Sequence, residues 1–149
     1  MAMRPFFGYN VGDYFAHWLE MGKKLGDKAP KIFNVNWFRT DEDGNFLWPG
    51  FGDNMRVLDW IIKRCEGTVD AVETAIGYLP KKEDLNLAGI EDEVTPAVLD
   101  KLLAVDTDLW KKEIAEMRRY YTEDIAAKGG KVPAELMDEL DKIEARLNK

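Results

Sequence analysis

Trp37-Phe38-Arg39-Thr40-Asp41-Glu42-Asp43-Gly44-Asn45-Phe46-Leu47-Trp48-Pro49-Gly50-Phe51-Gly52-Asp53-Asn54 crowds aromatic rings and glycines into one short span. An acidic turn, Asp41-Glu42-Asp43-Gly44, divides it, and Pro49-Gly50-Phe51-Gly52 closes it. Glycine allows positive φ angles and close approach of the backbone to a guest. Planar rings stack on other planar groups, and a purine base is the obvious planar guest. The plainer alternative is a β-hairpin whose rings fill a core, which is where aromatic side chains more often go.

Outward from this span the sequence punctuates itself into elements. Upstream, Phe33, Val35 and Trp37 alternate with Ile32, Asn34, Asn36 and Phe38 across Lys31 to Phe38, a strand pattern. Phe46-Leu47-Trp48 is the expected return strand, giving a short hairpin over roughly Lys31 to Trp48 around Asp43-Gly44. Farther upstream, Asn10 caps an expected helix from Val11 to Leu25, broken by Gly26-Asp27-Lys28-Ala29-Pro30. Downstream, a helix is expected to begin at Asn54, carry Leu58, Ile61, Ile62 and Cys65, and end at Glu66-Gly67. Asp53 and Asn54 then lie where free backbone N–H groups gather, and capping alone is one sufficient role for them. Thr95-Pro96 opens a short helix, Thr107 caps a longer one, and Pro133 opens a last helix with Leu136, Leu140, Ile143 and Leu147 on one stripe.

These segments resemble the GTP-dependent phosphoenolpyruvate carboxykinases. Met3-Arg4-Pro5-Phe6-Phe7-Gly8-Tyr9-Asn10, Gly12-Asp13-Tyr14 and His17-Trp18-Leu19 match the stretch that precedes the nucleotide-base loop in that family. Lys31 to Phe38 matches the strand leading into the loop. Arg56-Val57-Leu58-Asp59-Trp60 and Ile76-Gly77-Tyr78-Leu79-Pro80 keep the family's order and spacing, and residues 85–149 follow more loosely. Asn34 stands where a histidine is expected, Asp53 where glutamate is commoner, and Ala75 where a proline usually follows the threonine. Aspartate at 53 keeps the charge and shortens the reach.

The resemblance implies an α+β, helix-rich fold, part of the carboxyl-terminal nucleotide-binding lobe of a bilobal enzyme. Residues 1–149 would be a carboxyl-terminal fragment of that domain, with the guanine-binding hairpin and loop at 31–54 and a helical remainder at 55–149. Phe38 and Phe51 would sandwich guanine, Phe46 would line its edge, and Gly52, Asp53 and Asn54 would supply backbone or amide contacts. The full-length enzyme, a carboxy-lyase of gluconeogenesis, interconverts oxaloacetate plus GTP with phosphoenolpyruvate, carbon dioxide and GDP. GTP or GDP is the implied nucleotide. Mn2+ and Mg2+ serve the full-length enzyme through ligands outside this chain, and so does the phosphate loop. The implied partners are a guanine nucleotide and the missing amino-terminal part of the enzyme. Phosphoryl transfer depends on positioning and charge stabilisation by those missing parts, so the chain alone is expected to be inactive.

Composition agrees with a globular reading. Hydrophobic residues make up 46% and charged residues 33% of 149 residues, enough for one domain with a workable core. No run approaches the ~20 apolar residues of a membrane span, and no secretory signal opens the chain. Cys65 is the lone cysteine, which excludes an intrachain disulfide framework and fits a cytoplasmic setting. A net charge of −7 argues against a nucleic-acid partner. Phe6, Phe7 and Tyr9 demand burial from the first residues, which suggests a piece of a longer chain and self-association through those rings.

Catalytic side chains are scarce. The Gly-x-x-x-x-Gly-Lys-Ser/Thr pattern does not occur, and Gly129-Gly130-Lys131-Val132 reads as a linker. His17 is the only histidine and has no nucleophile at suitable spacing, so a structural role is the default. The competing reading is a helical protein-interaction module whose aromatic hairpin is a docking surface. A preference for one nucleotide base would separate the two.

Overall fold

A computed structural model describes residues 6–149, the side chain of Lys128 apart. Met3-Arg4-Pro5, the opening of the first matching stretch, lies outside the described residues. The chain divides into two compact units, one made of Met1–Pro30 with Asp106–Lys149 and the other of Lys31–Val105.

The first unit is helical. Helix α1 runs Val11–Leu25, and the Asn10 side chain accepts a hydrogen bond from the Gly12 N–H at 2.7 Å. Both match the expectation. Gly12 is buried, and a Cβ there would collide with the Lys131 backbone carbonyl. Gly130 in turn lies against the Asn10 side chain, so the expected linker is also a packed contact. Helix α4 (Thr107–Arg119) is capped by Asp106, one residue ahead of the expected Thr107. The Asp106 carboxylate accepts from the Leu109 N–H at 2.9 Å, the usual reach of a cap to its third helical residue. Helix α4 continues as a π-helical turn, Tyr120–Ile125, which rotates the apolar stripe so that Ile125 is buried. Helix α5 (Ala134–Leu147) follows Pro133, with Leu140 and Leu147 buried. Arg118 ties α4 to α5 through Asp141 and Glu144 at 2.8 and 3.2 Å.

The second unit carries the aromatic run. Helix α2 (Asn54–Glu66) starts and stops where the sequence placed it, and Gly67 ends it in the left-handed conformation. Helix α3 (Pro96–Leu103) follows the Thr95 cap as expected. Trp48, Trp60, Leu85, Ile90, Val94 and Leu99 form the core. Phe33 and Trp37 pack against it, with the Phe33 ring edge-on to Trp60 at 6.2 Å.

The hairpin expected over Lys31 to Trp48 contracts to one bridge, Thr40 to Phe46. Neither Lys31–Phe38 nor Phe46–Trp48 forms a strand. The backbone groups of residues 31–35 make no hydrogen bond within the described residues, and a strand pattern without a partner builds no ladder. The sheet lies instead inside the expected helical remainder: β1 (Val72–Thr74) pairs antiparallel with β2 (Gly77–Leu79). Thr74 Oγ1 donates to the Gly77 carbonyl at 2.6 Å and closes the turn. The chain is therefore α+β and rich in helix, with its two-stranded sheet elsewhere than expected.

Candidate nucleotide-base site

The aromatic run sorts its rings by residue type. Trp48 is 5% exposed and Trp37 is half-buried against the core, while Phe38, Phe46 and Phe51 are 72%, 64% and 93% exposed. A core-filling hairpin would hide the phenylalanines first, because they carry no polar atom. The opposite is found. Phe38 and Phe46 stand 6.0 Å apart between centroids at an interplanar angle of 62°, close to an edge-on pair. Phe51 meets no other ring among the described residues.

The loop is held from below. Asp41 accepts from the Asp43 and Asn45 N–H groups at 3.0 and 2.8 Å, and the Asp41 N–H donates to the Asn45 carbonyl at 2.9 Å. The Asn45 N–H is the main cause holding the Asp41 carboxyl below its ordinary value. Arg39 Nη1 donates to the Leu102 and Ala104 carbonyls, each at 3.2 Å, which fastens the run to the end of α3. At the other side, Lys31 Nζ donates to the Arg64 and Cys65 carbonyls at the carboxyl end of α2.

Phe51–Asp53 is a 3-10 turn leading straight into α2. Gly50 ahead of it has φ 122°, which favours glycine. Asp53 occupies the cap position of α2, yet its side chain bonds no backbone N–H there. Its carboxylate accepts from Arg56 Nε at 2.8 Å instead, and Arg56 Nη1 reaches the Asn86 carbonyl at 2.8 Å. The Asn54 Oδ1 accepts from Trp48 Nε1 at 2.9 Å. Both side chains are thus drawn away from the helix end. The Phe51 and Gly52 N–H groups make no hydrogen bond within the described residues. Nothing lies within 4 Å of a Cβ placed on Gly52, so the fold itself does not demand glycine there.

The structure therefore brings Gly52, Asp53 and Asn54 together with Phe51 at one helix end, and Phe38 with Phe46 at the bridge. Two residues that sequence reasoning did not assign, Trp48 and Arg56, orient that end. The i, i+3 spacing of Asp53 and Arg56 was the one available signal for their pairing. Two concavities, of about 350 Å³ beside Phe7–Val11 and about 460 Å³ beside Lys81 and Lys82, include none of the six assigned residues. The phenylalanines project from the surface, and neither of these two concavities reaches them.

The family profile described as the phosphoenolpyruvate carboxykinase C-terminal P-loop domain matches residues 1–146. The chain belongs to that family. It is 48% identical over 148 residues to a phosphoenolpyruvate carboxykinase (GTP) of Corynebacterium kroppenstedtii, which covers 99% of this chain and 23% of that relative. It is 49% identical to the one of Treponema pallidum strain Nichols, over 99% and 23% of the two chains. The mitochondrial phosphoenolpyruvate carboxykinase (GTP) of Homo sapiens is 47% identical, over 99% and 22%. The chain thus spans under a quarter of the length of these curated relatives. Among the described residues of this family member, no group of three or more His, Cys, Asp or Glu converges to hold a metal ion. No helix is long and apolar enough to cross a membrane.

Proposed function

We propose that this chain is the guanine-binding part of a phosphoenolpyruvate carboxykinase that uses GTP to convert oxaloacetate into phosphoenolpyruvate, carbon dioxide and GDP. The observation that carries the reading is the exposure of Phe38, Phe46 and Phe51 beside buried Trp48. Keeping three large rings in water opposes stability unless they serve a guest. A base lying flat on Phe38 would meet Phe46 at its rim, because the two rings are steeply inclined. Phe51, on the 3-10 turn, supplies the second stacking face. Stacking contributes about 1–3 kcal/mol per base and does not discriminate among purines. Discrimination falls to the polar groups at Phe51, Gly52 and Asn54.

In this reading residues 1–149 belong to the nucleotide-binding lobe of a bilobal, cytoplasmic enzyme of gluconeogenesis. The phosphate loop and the Mn2+ and Mg2+ ligands come from the part of the relatives that this chain does not span. That part is its partner, and the chain alone turns nothing over. Phe6 and Tyr9 are 84% and 59% exposed, which supports self-association of the chain on its own.

The test is a titration of the chain with GDP followed by NMR. Shifts confined to Phe38, Phe46, Phe51 and their neighbours support the reading. Uniform or absent shifts at millimolar GDP defeat it.

A further inference from the structure

We propose that Trp48 is a positioning residue that makes the site prefer guanine, by fixing which face of the Asn54 carboxamide a base meets; this rests on the base-site reading above. An indole N–H can only donate. The Asn54 atom 2.9 Å from Trp48 Nε1 is therefore the carbonyl oxygen, and the NH2 group is turned the other way. That NH2 makes no hydrogen bond within the described residues. Trp48 is 5% exposed and packed in the core with Trp60, Leu85 and Val94, so the indole cannot swing to release the amide. A freely turning asparagine offers either sign of hydrogen bond. Asn54 offers one.

Its sign matches the groups beside it. The unbonded Phe51 and Gly52 N–H groups are also donors, while the neighbouring Asp53 carboxylate is turned to Arg56. Guanine presents a carbonyl acceptor at its six-position, where adenine presents an amino donor. Donors that meet the six-position are satisfied by the first and left facing another donor by the second, and leaving such groups unpaired is what gives a site its selectivity. Trp48 thus acts on the base without touching it.

Two variants separate this role from mere burial of the indole. Trp48→Phe keeps an aromatic ring in the core and removes the N–H. Asn54→Asp keeps an acceptor for the indole and replaces the donor with a second acceptor. The readout is the ratio of GDP to ADP affinity by calorimetry or NMR on the 149-residue chain, because the shared phosphates cancel in that ratio. The wild-type chain is expected to favour GDP by about tenfold or more, the scale of one well-made hydrogen bond. Trp48→Phe should bring the ratio to within about threefold of unity, and Asn54→Asp should invert it. Circular dichroism reports whether each variant folds, and if Trp48→Phe does not, Asn54→Asp decides alone. An undiminished GDP preference in folded Trp48→Phe, or in Asn54→Asp, overturns the inference while leaving the base site standing. Absence of GDP binding by the wild-type chain removes the base site and the inference together.

Discussion

The amino ends of α1 and α2 begin with similar residues and are finished in opposite ways. At α1, Asn10 turns its side-chain oxygen onto the Gly12 N–H, and the chain at 130–131 packs directly against the cap. At α2, Asp53 and Asn54 carry equally competent oxygens, but Arg56 and Trp48 take them. The first end is closed by its own cap. The second is braced from the side and keeps backbone donors free. A helix end that forgoes a stabilising cap, worth about 1 kcal/mol, is one that stability alone did not shape.

Substitutions can break or sharpen that contrast. The largest effect is expected at Gly12: an alanine there must displace the Lys131 backbone, and overpacking of that kind costs about 1–3 kcal/mol. Gly52→Ala, with open space around it, should stay within about 0.5 kcal/mol by urea melts of both variants. Equal losses at the two glycines would erase the distinction. Next comes Phe51→Ala, which should leave the melting temperature alone, since the ring is 93% exposed. In an intact enzyme built on this chain, it should weaken GTP by about 1–3 kcal/mol. The base is remote from the transferred phosphoryl group, so the loss should enter KM for GTP more than kcat. Unchanged steady-state parameters with GTP varied would show that the ring does not touch the base. Phe38→Ala should behave alike.

Smaller effects follow. Asn10→Ala should lower stability by about 1 kcal/mol, the value of one lost cap. Asp53→Ala loses no cap bond, only a partly exposed ion pair with Arg56, and should cost less than about 1 kcal/mol. A larger loss at Asp53 than at Asn10 would reverse the assignment of which end is capped. The smallest effect concerns pH. Hydrogen bonds from the loop N–H groups hold the Asp41 carboxyl below its ordinary value, so its contribution is complete above that value and disappears as pH falls through the depressed one. The Asn45 amide resonance should shift in that acidic window, and Asp41→Asn should remove the shift.

Local signals carried far in this sequence. Asn10, Asn54, Gly67 and Thr95-Pro96 mark helix ends by chemistry that acts within a few residues, and the structure has those ends. Lys31 to Phe38 shows where local reading stops: its alternation is real, with Phe33 and Trp37 facing the core, but pairing needs a second strand that the described residues do not supply. The π-helical turn at Tyr120–Ile125 carries no such end signal, and the short hairpin at 72–79, whose turn Thr74 closes, lies in a stretch read as helical. In the site, the family likeness named six residues. It could not say that Trp48 would be buried and Phe51 exposed, because both are aromatic and three positions apart. Only the fold separates the ring that braces Asn54 from the ring that water reaches.

Helix α2 also links that site to Cys65, the sole cysteine of the sequence and an exposed one. One segment grips the helix at both ends, with Lys31 on the Arg64 and Cys65 carbonyls and Trp48 on Asn54. At about 1.5 Å of rise per residue, Cys65 lies ~17 Å along the axis from Asn54. A thiol-reactive fluorophore would therefore attach at a single native position, clear of the rings yet on the same rigid rod. The chain carries its own spectroscopic handle for watching the loop.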